Sequence, residues 1–415
     1  MGEGTRVALG DSRTLCVFES FFVGPADLSP CAARKERQEE RWLDYMEQAL
    51  VLAEGALGWG SPNPAVGAVL VRDGQVVGTG FTRPPGGAHA EVVALQAAGP
   101  AARGADLYVT LEPCGHHGRT PPCTDALIAA GVRSVHAAIS DPSPWVDGAG
   151  LKALEAAGIP TVVGQCRAGA ERLNEAYFKW IRTRTPFVTL KYAMTADGKI
   201  ATRTGSSFWI TGLEARDHVA RLRSRVDAVL VGIDTVIADD PQLTSRPDEF
   251  RDGAPHSVHQ PLRVVLDSHA RLPESAKVVS GGPPGRTLLC TTDRAPADRL
   301  RRLEALGVEV LVLPSRDDRV DVCAAMSALG ERDVTSVLAE AGGTLGASLL
   351  AAGAVDKVLA FVAPKIVGGR DAPTPVEGSG LELMDRAMEL RDPEWIVLGR
   401  DVLMSAYVDD QALEE

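Results

Sequence analysis

His89-Ala90-Glu91, followed by Leu111-Glu112-Pro113-Cys114-Gly115-His116-His117-Gly118-Arg119-Thr120-Pro121-Pro122-Cys123, is the stretch on which the reading of this chain turns. One imidazole and two thiols hold zinc through three protein ligands and leave the fourth tetrahedral position open to water. His89, Cys114 and Cys123 are the candidate ligands. Glu91, two residues past the imidazole, is close enough to handle the protons of that water without touching the metal. A carboxylate so placed can take a proton from water and deliver it to a departing group. The alternative is a structural site, with His116 or His117 closing the tetrahedron; Glu91 would then have no purpose.

The same stretch sets the local fold. A helix is expected over 88–98, carrying His89 and Glu91 near its first turn, then a strand over 106–110 and a helix over 124–130 ended by Gly131. Cys114 and Cys123 are both expected at or near helix starts, where the dipole favours thiolate. Before the stretch, Leu43, Met46, Ala49, Leu50 and Ala53 recur at helical spacing. Ser61-Pro62-Asn63-Pro64 is a turn-rich loop, and Asp73-Gly74 joins two short apolar runs as a hairpin. After it come a strand over 132–139 and helices over 151–157 and 171–182. Strands alternating with helices imply an α/β sandwich.

The alternation restarts beyond a boundary near 183–186. Strands are expected over 187–194, 228–232, 262–267, 286–290, 309–313, 336–339, 355–362 and 395–398, with a helix over 213–225 and a polar loop over 246–260. The predicted organisation is therefore an extension over residues 1–40, outside the ordered fold, and two α/β domains over 41–184 and 185–412. The apolar patch at 15–23 lacks a basic flank and is not read as a signal peptide.

Composition narrows the function. Across 415 residues, 45% are hydrophobic and the net charge is −12. That charge argues against a nucleic acid as partner, which needs a basic surface. No apolar run reaches the ~18–20 residues needed to span a membrane. The cysteines number seven and show no disulfide-scaffold density, which fits a reducing cytoplasm. Cytoplasmic location and assembly as a homo-oligomer are expected.

A His, two Cys and a non-ligating Glu resemble the zinc deaminases. The eight residues between the cysteines, with their His-His-Gly-Arg-Thr-Pro-Pro insert, are similar to the deaminase half of the RibD family of bifunctional riboflavin-biosynthesis enzymes. The implied first fold is a cytidine-deaminase-like three-layer α/β/α domain. Asn63 matches a family loop that lines the substrate pocket, and Gly115 stands where many members carry Ser, away from the metal.

The second half carries Lys191-Tyr192-Ala193-Met194-Thr195-Ala196-Asp197-Gly198-Lys199-Ile200-Ala201, Ser207-Phe208-Trp209-Ile210-Thr211-Gly212, Gly232-Ile233-Asp234-Thr235-Val236 and Asp239-Asp240-Pro241-Gln242-Leu243-Thr244-Ser245-Arg246. Glu340-Ala341-Gly342-Gly343-Thr344-Leu345-Gly346 then leads into a helix. Glycines at a helix start let phosphate reach exposed backbone N–H groups, although an ordinary packing turn looks the same locally. These motifs resemble the reductase half of the same family, in the family's order, and imply a dihydrofolate-reductase-like fold. By that resemblance Ala193, Trp209, Thr235, Asp239, Ser268, Gly342, Gly343, Thr344, Leu345, Gly346, Ala347 and Ser348 would contact NADPH. Ser207, Arg223, Leu243, Arg246 and Glu340 would contact the substrate, and arginine forks suit its phosphate. The resemblance implies a zinc-dependent deamination of a phosphoribosylamino-diaminopyrimidinone, then an NADPH-dependent reduction of the ribosyl group to ribityl.

Overall fold

The Asp73-Gly74 turn is as expected. Both residues take positive φ, 52° and 77°, the geometry of a tight hairpin turn whose twist matches its strands. It joins β1 (Gly67–Arg72) to β2 (Gln75–Phe81) in a computed structural model that describes residues 44–116, 121–143, 148–246, 258–280 and 285–409. Every described residue belongs to one unit, Asp44–Glu415. The expected extension over 1–40, and 247–257 of the polar loop, lie outside the described residues.

A first sheet has the order β2-β1-β3-β4-β5, with β3 (Asp106–Val109), β4 (Ser134–Ala137) and β5 (Thr161–Val163). The hairpin strands and β3 run antiparallel, and β4 and β5 follow β3 in parallel. Helix α1 (44–53) precedes the sheet. Helix α2 (Ala90–Ala98) lies flush on β1 and β2, because Gly78 and Gly80 present no side chain to it. A Cβ there would fall 2.3 Å from the Ala94 carbonyl oxygen and 2.4 Å from that of Ala90. The facing residues of α2, Ala90, Ala94 and Ala98, are small and buried. Backbone therefore approaches backbone, and this fixes where the first turn of α2 points.

α3 (Cys123–Ala130) starts one residue earlier than predicted and ends in the left-handed cap of Gly131, φ 71°. α4 (Ala149–Ala156) follows β4. The single helix expected over 171–182 is two, α5 (Arg167–Leu173) and α6 (Glu175–Thr183), broken at Asn174. The buried Asn174 amide accepts from Ala65 N–H at 2.8 Å and donates to Ala65 C=O at 3.0 Å. That clamp on the Ser61–Ala65 loop replaces helical continuity at residue 174.

The second sheet runs β10-β9-β8-β7-β13-β6-β14-β16-β15. Its members are β6 (Phe187–Thr195), β7 (Ala228–Gly232), β8 (Leu262–Leu266), β9 (Thr287–Thr291), β10 (Glu309–Val312), β13 (Ser336–Glu340), β14 (Lys357–Ala363), β15 (Leu390–Leu398) and β16 (Asp401–Val408). A two-stranded ribbon, β11 (Ser315–Arg316) and β12 (Arg319–Val320), stands apart. Helices α7 (Leu213–Arg225), α8 (Ile233–Asp239), α9 (Lys277–Ser280), α10 (Ala297–Ala305), α11 (Val322–Gly330) and α12 (Gly343–Ala351) connect the strands. β10 to β14 are mutually parallel, and β8 and β9 are buried at every residue, as a doubly covered parallel sheet requires. Val188, Leu190 and Leu230 pack on one face, Val229, Val231 and Val265 on the other. β16 was not foreseen, and β15 starts earlier than the predicted 395. β15 is almost wholly exposed, with Pro393 and a bulge between Arg391 and Glu394, so it carries little apolar periodicity to read.

The two sheets meet through polar contacts made by α6. Trp180 Nε1 donates to Gly330 C=O at 2.9 Å. Lys179 pairs with Asp356 at 2.7 Å, and the same carboxylate accepts Val188 N–H. Glu175 accepts from Lys357 and from the Tyr407 hydroxyl.

Candidate active sites

The first turn of α2 and the N-terminus of α3 converge. His89 is the N-cap residue of α2, with Glu91 in its first turn. His89 Nδ1 lies 3.5 Å from Cys114 Sγ and 3.3 Å from Cys123 Sγ. Zinc bonds of about 2.3 Å to sulfur and about 2.0 Å to nitrogen, at the tetrahedral angle, separate S and N by roughly 3.5 Å. The donor set therefore fits zinc in type and in spacing. Among the described residues these three form the one cluster able to hold a metal. His116 is exposed outside it, and His117 lies outside the described residues.

Cys123 opens α3, as expected, but Cys114 does not open a helix; it sits in the loop after β3. The α3 dipole reaches it nonetheless, because the Cys123 backbone N–H donates to Cys114 Sγ at 3.3 Å. The hydrogen bond from the Cys123 thiol, with help from His89, brings the Cys114 thiol well below its ordinary value. Cys123 is raised by giving that hydrogen bond and by burial. Glu91 is 3% exposed. Burial, then the Cys114 thiolate, pushes its carboxyl up to about 7, where a group can both take and release protons.

Glu112 was assigned no role by the sequence. Its buried carboxylate accepts from the Gly150 and Leu151 backbones at 3.0 and 3.3 Å and from Asp141 N–H at 3.3 Å. It thus caps α4 and ties down the loop bearing Cys114; an acidic residue directly after a buried strand was the available signal. Gly115 proves to be a packing position, since a Cβ there would lie 3.0 Å from Gly150 Cα. Asn63 is half-buried on the loop that Asn174 clamps.

The expected reductase residues gather at the carboxyl ends of neighbouring parallel strands, where open α/β sheets bind ligands. Ala193 lies near the end of β6, Ser268 just past β8, Thr235 and Asp239 on α8 after β7, and Glu340 ends β13 before Gly342 caps α12. The Ser207 hydroxyl donates to Asp239 at 2.8 Å. Thr235 Oγ1 is 3.7 Å from where a Cβ on Gly342 would stand. Ser268 Oγ accepts Val320 N–H at 2.9 Å. Trp209 is 60% exposed, with Arg216 over its ring at 4.1 Å. Leu243 is buried in the core at φ 54°. Arg246 is described at the edge of the polar loop.

Two of these positions also have partners within the fold. Arg223 is not an open fork: Nε and Nη2 pair with Glu340 at 2.5 and 2.9 Å, and Nη1 donates to Thr244 C=O. Gly343 is also a packing position, since a Cβ there would meet the Thr374 carbonyl oxygen and Glu377 Cγ at 2.5 Å. Thr344 likewise faces Glu377. Lys191, which carried no assignment, lies 3.7 Å from Glu340. Its mark in the sequence was the one charged residue inside the Phe187–Met194 run.

Residues 186–404 match the family described as RibD C-terminal domain, and residues 39–139 match the cytidine and deoxycytidylate deaminase zinc-binding region. The riboflavin biosynthesis protein RibD of Actinobacillus pleuropneumoniae is 42% identical over 369 residues, covering 88% of this chain and 95% of that protein. RibD of Escherichia coli K12 is 41% identical, covering 87% and 97%. Among solved structures, Acinetobacter baumannii RibD superposes with a TM-score of 0.79 at 37% identity, covering 90% of this chain and all of that one. A Thermotoga maritima protein named as a diaminohydroxyphosphoribosylaminopyrimidine deaminase and 5-amino-6-(5-phosphoribosylamino)uracil reductase gives 0.76 at 33% identity, with the same coverage.

Proposed function

The chain belongs to the RibD family of bifunctional riboflavin-biosynthesis deaminase/reductases, and from that membership we propose that it acts on the two substrates in the name of the Thermotoga maritima relative. Its cofactors are zinc and NADPH. The deaminase fold spans 41–184 and the reductase fold 185–412, with residues 1–40 as an extension. The observation that carries the reading is the convergence of His89, Cys114 and Cys123 beside a buried Glu91 that is not one of the cluster.

His89 and the two cysteine sulfurs would hold the zinc. Zinc bound there supplies a Lewis acid that brings the pKa of water towards neutrality. Glu91 would take one proton from the attacking water and give it to the ring nitrogen, then take the second from the hydroxyl now on the ring carbon and give it to the amine, which leaves as ammonia as the C–N bond breaks. The loop of Asn63 forms one wall of the pyrimidine pocket.

In the second site, NADPH supplies the hydride that reduces the ribosyl group. Ala193, Trp209, Thr235, Asp239, Ser268 and Gly342–Ser348 position the cofactor, with most room beside Gly342. Ser207, Leu243, Arg246 and the Arg223–Glu340 pair form the substrate wall; the pair acts as a fixed unit whose charges are already matched.

The partners are small phosphorylated pyrimidines, with no nucleic acid and no membrane. No helix among the described residues is long and apolar enough to cross a membrane. The reading places the chain in the cytoplasm. The exposed β15 edge, with Trp395 at 64% and Val397 at 74% exposure, supports assembly as a homo-oligomer. The deciding experiment supplies the diaminopyrimidinone substrate with and without NADPH and identifies the products. Ammonia without NADPH and the ribityl product only with it support the reading; absence of ammonia overturns it.

A further inference from the structure

The Asn63 loop is not held by its own half alone. At its far end, Asn174 and Thr82 hold Ala65 and Val66 through backbone hydrogen bonds. At its near end the loop meets the reductase half. Gly58, at φ +77°, brings its backbone so close that a Cβ would stand 2.4 Å from the Ser224 carbonyl oxygen and 2.9 Å from His259 Cδ2. The Trp59 ring meets His259 edge to face at 5.4 Å between centroids. Ser61 Oγ lies 3.3 Å from Thr335 Oγ1. The Thr335 hydroxyl proton is already given to Asp227 at 2.7 Å, so Ser61 is the donor of that bond. Asn63 itself hangs between these anchors, its N–H bonded within the loop to Gly60 C=O.

The residue that carries this contact has a neighbour with a matching task. The Gln260 side chain closes a two-point clamp on Ser245, accepting its N–H at 3.0 Å and donating to its C=O at 2.9 Å. Ser245 lies between Leu243 and Arg246, both on the proposed substrate wall of the reductase. His259 thus faces the deaminase loop while Gln260 grips the reductase loop, one residue apart on the same stretch of chain. Burial lowers the His259 pKa, so the ring stays neutral and its contact with Trp59 is one of packing.

We propose that His259 and Gln260 form a strut between the two substrate loops, with His259 a positioning residue for deamination although it lies in the reductase half. This rests on the assignment of the Asn63 loop to the pyrimidine pocket. His259 touches neither the zinc ligands nor Glu91 in this structure; its effect is exerted through Trp59 and Gly58 on where Asn63 stands. The strut places the loop and takes no part in proton transfer, so its loss weakens substrate binding without altering the chemical step.

The test uses the full-length zinc-loaded enzyme and the diaminopyrimidinone substrate, with ammonia release followed as a function of substrate concentration. An edge-to-face aromatic contact is worth about two- to tenfold in binding. His259→Ala should raise the deaminase KM by that factor, with kcat and zinc content kept, and with NADPH oxidation on supplied deaminated intermediate unchanged. His259→Phe keeps the ring and should restore the KM. Gln260→Ala should reverse the pattern, raising the reductase KM and leaving ammonia release alone. An unchanged deaminase KM in His259→Ala overturns the proposal, as does a loss of kcat together with zinc. If the unaltered enzyme releases no ammonia, it is the deaminase assignment that fails and not the strut.

Discussion

Arg223 and Glu340 face each other as a forked pair, and Lys191 approaches the same carboxylate. Against the cost of burial, the Arg223 and Lys191 charges hold the Glu340 carboxyl down at about 2, from an ordinary 4.5. Because the folded value is depressed, the pair stabilises the fold fully above pH ~4.5, and that contribution is lost as the pH falls towards 2. Glu340→Gln leaves two buried cations without their counter-charge and should cost about 3–5 kcal/mol near neutral pH. Urea melts should show the gap between the two proteins closing as the pH is lowered through that window.

Glu91 is not a ligand, so its removal should separate chemistry from structure. Glu91→Ala should retain zinc and the native circular dichroism, while ammonia release falls by about 10²–10⁴-fold. NADPH oxidation on supplied intermediate should stay near normal, because Glu91 lies on α2, against the first sheet, and Glu340 ends β13 of the second. Loss of both reactions with zinc retained would mean that the sites do not act separately.

Cys114 receives the first N–H of α3, so losing its sulfur removes both a ligand and a tie between loop and helix. Cys114→Ser should bind well below one zinc per chain and melt the first sheet at lower temperature. Exhaustive chelation should produce a smaller melting shift in the unaltered protein, because the tie between loop and helix survives it, and should move the variant less than it moves the unaltered protein. Metal analysis beside differential scanning calorimetry checks both.

The two glycines before α12 should respond differently. Gly342 has φ −75°, which any residue adopts, and the nearest atom to a Cβ there is 3.7 Å away. Gly342→Val should raise the NADPH KM by about tenfold, a phosphate contact of roughly 1.4 kcal/mol, and leave stability nearly unchanged. Gly343→Val drives a side chain into the Thr374–Glu377 segment and should lower the melting temperature instead. Steady-state kinetics beside thermal melts distinguishes the two.

The legible parts of this molecule were those with a local code. The His89, Cys114 and Cys123 cluster was readable because metal chemistry restricts residue type, and the Asp73-Gly74 hairpin because few residues take positive φ. What escaped was set by tertiary partners. The break at Asn174 is made by Ala65, a residue 109 positions away, and nothing near 174 announces it. β16 loses its alternation at Met404 and Ser405, and its partner β15 is exposed along nearly its whole length, so neither strand announces the hairpin. The motif around Gly342 and Gly343 reads as phosphate binding in both residues alike; the folded chain shows that Gly343 serves the 374–377 segment. The roles of Glu112, Lys191 and His259 depend on neighbours brought together by the fold, and single residues carry no such signal.

The place of β13 has a consequence for how the chain is made. It lies between β7 and β6 in the middle of the second sheet, with Ser336 opposite Phe187. The central pairing therefore has high contact order, and the loop-closure entropy of the intervening segment is lost before any of that contact energy is gained. At a translation rate of about 5–20 residues per second, β6 waits roughly 7–30 seconds for its neighbour to be synthesised. During that interval its apolar residues have no parallel strand on that side. The first sheet, whose last strand ends at Val163, is complete before β6 is synthesised. The ribosome thus presents a finished deaminase fold ahead of an open-edged nascent sheet, and it is that edge, not the zinc site, that chaperones would have most reason to cover.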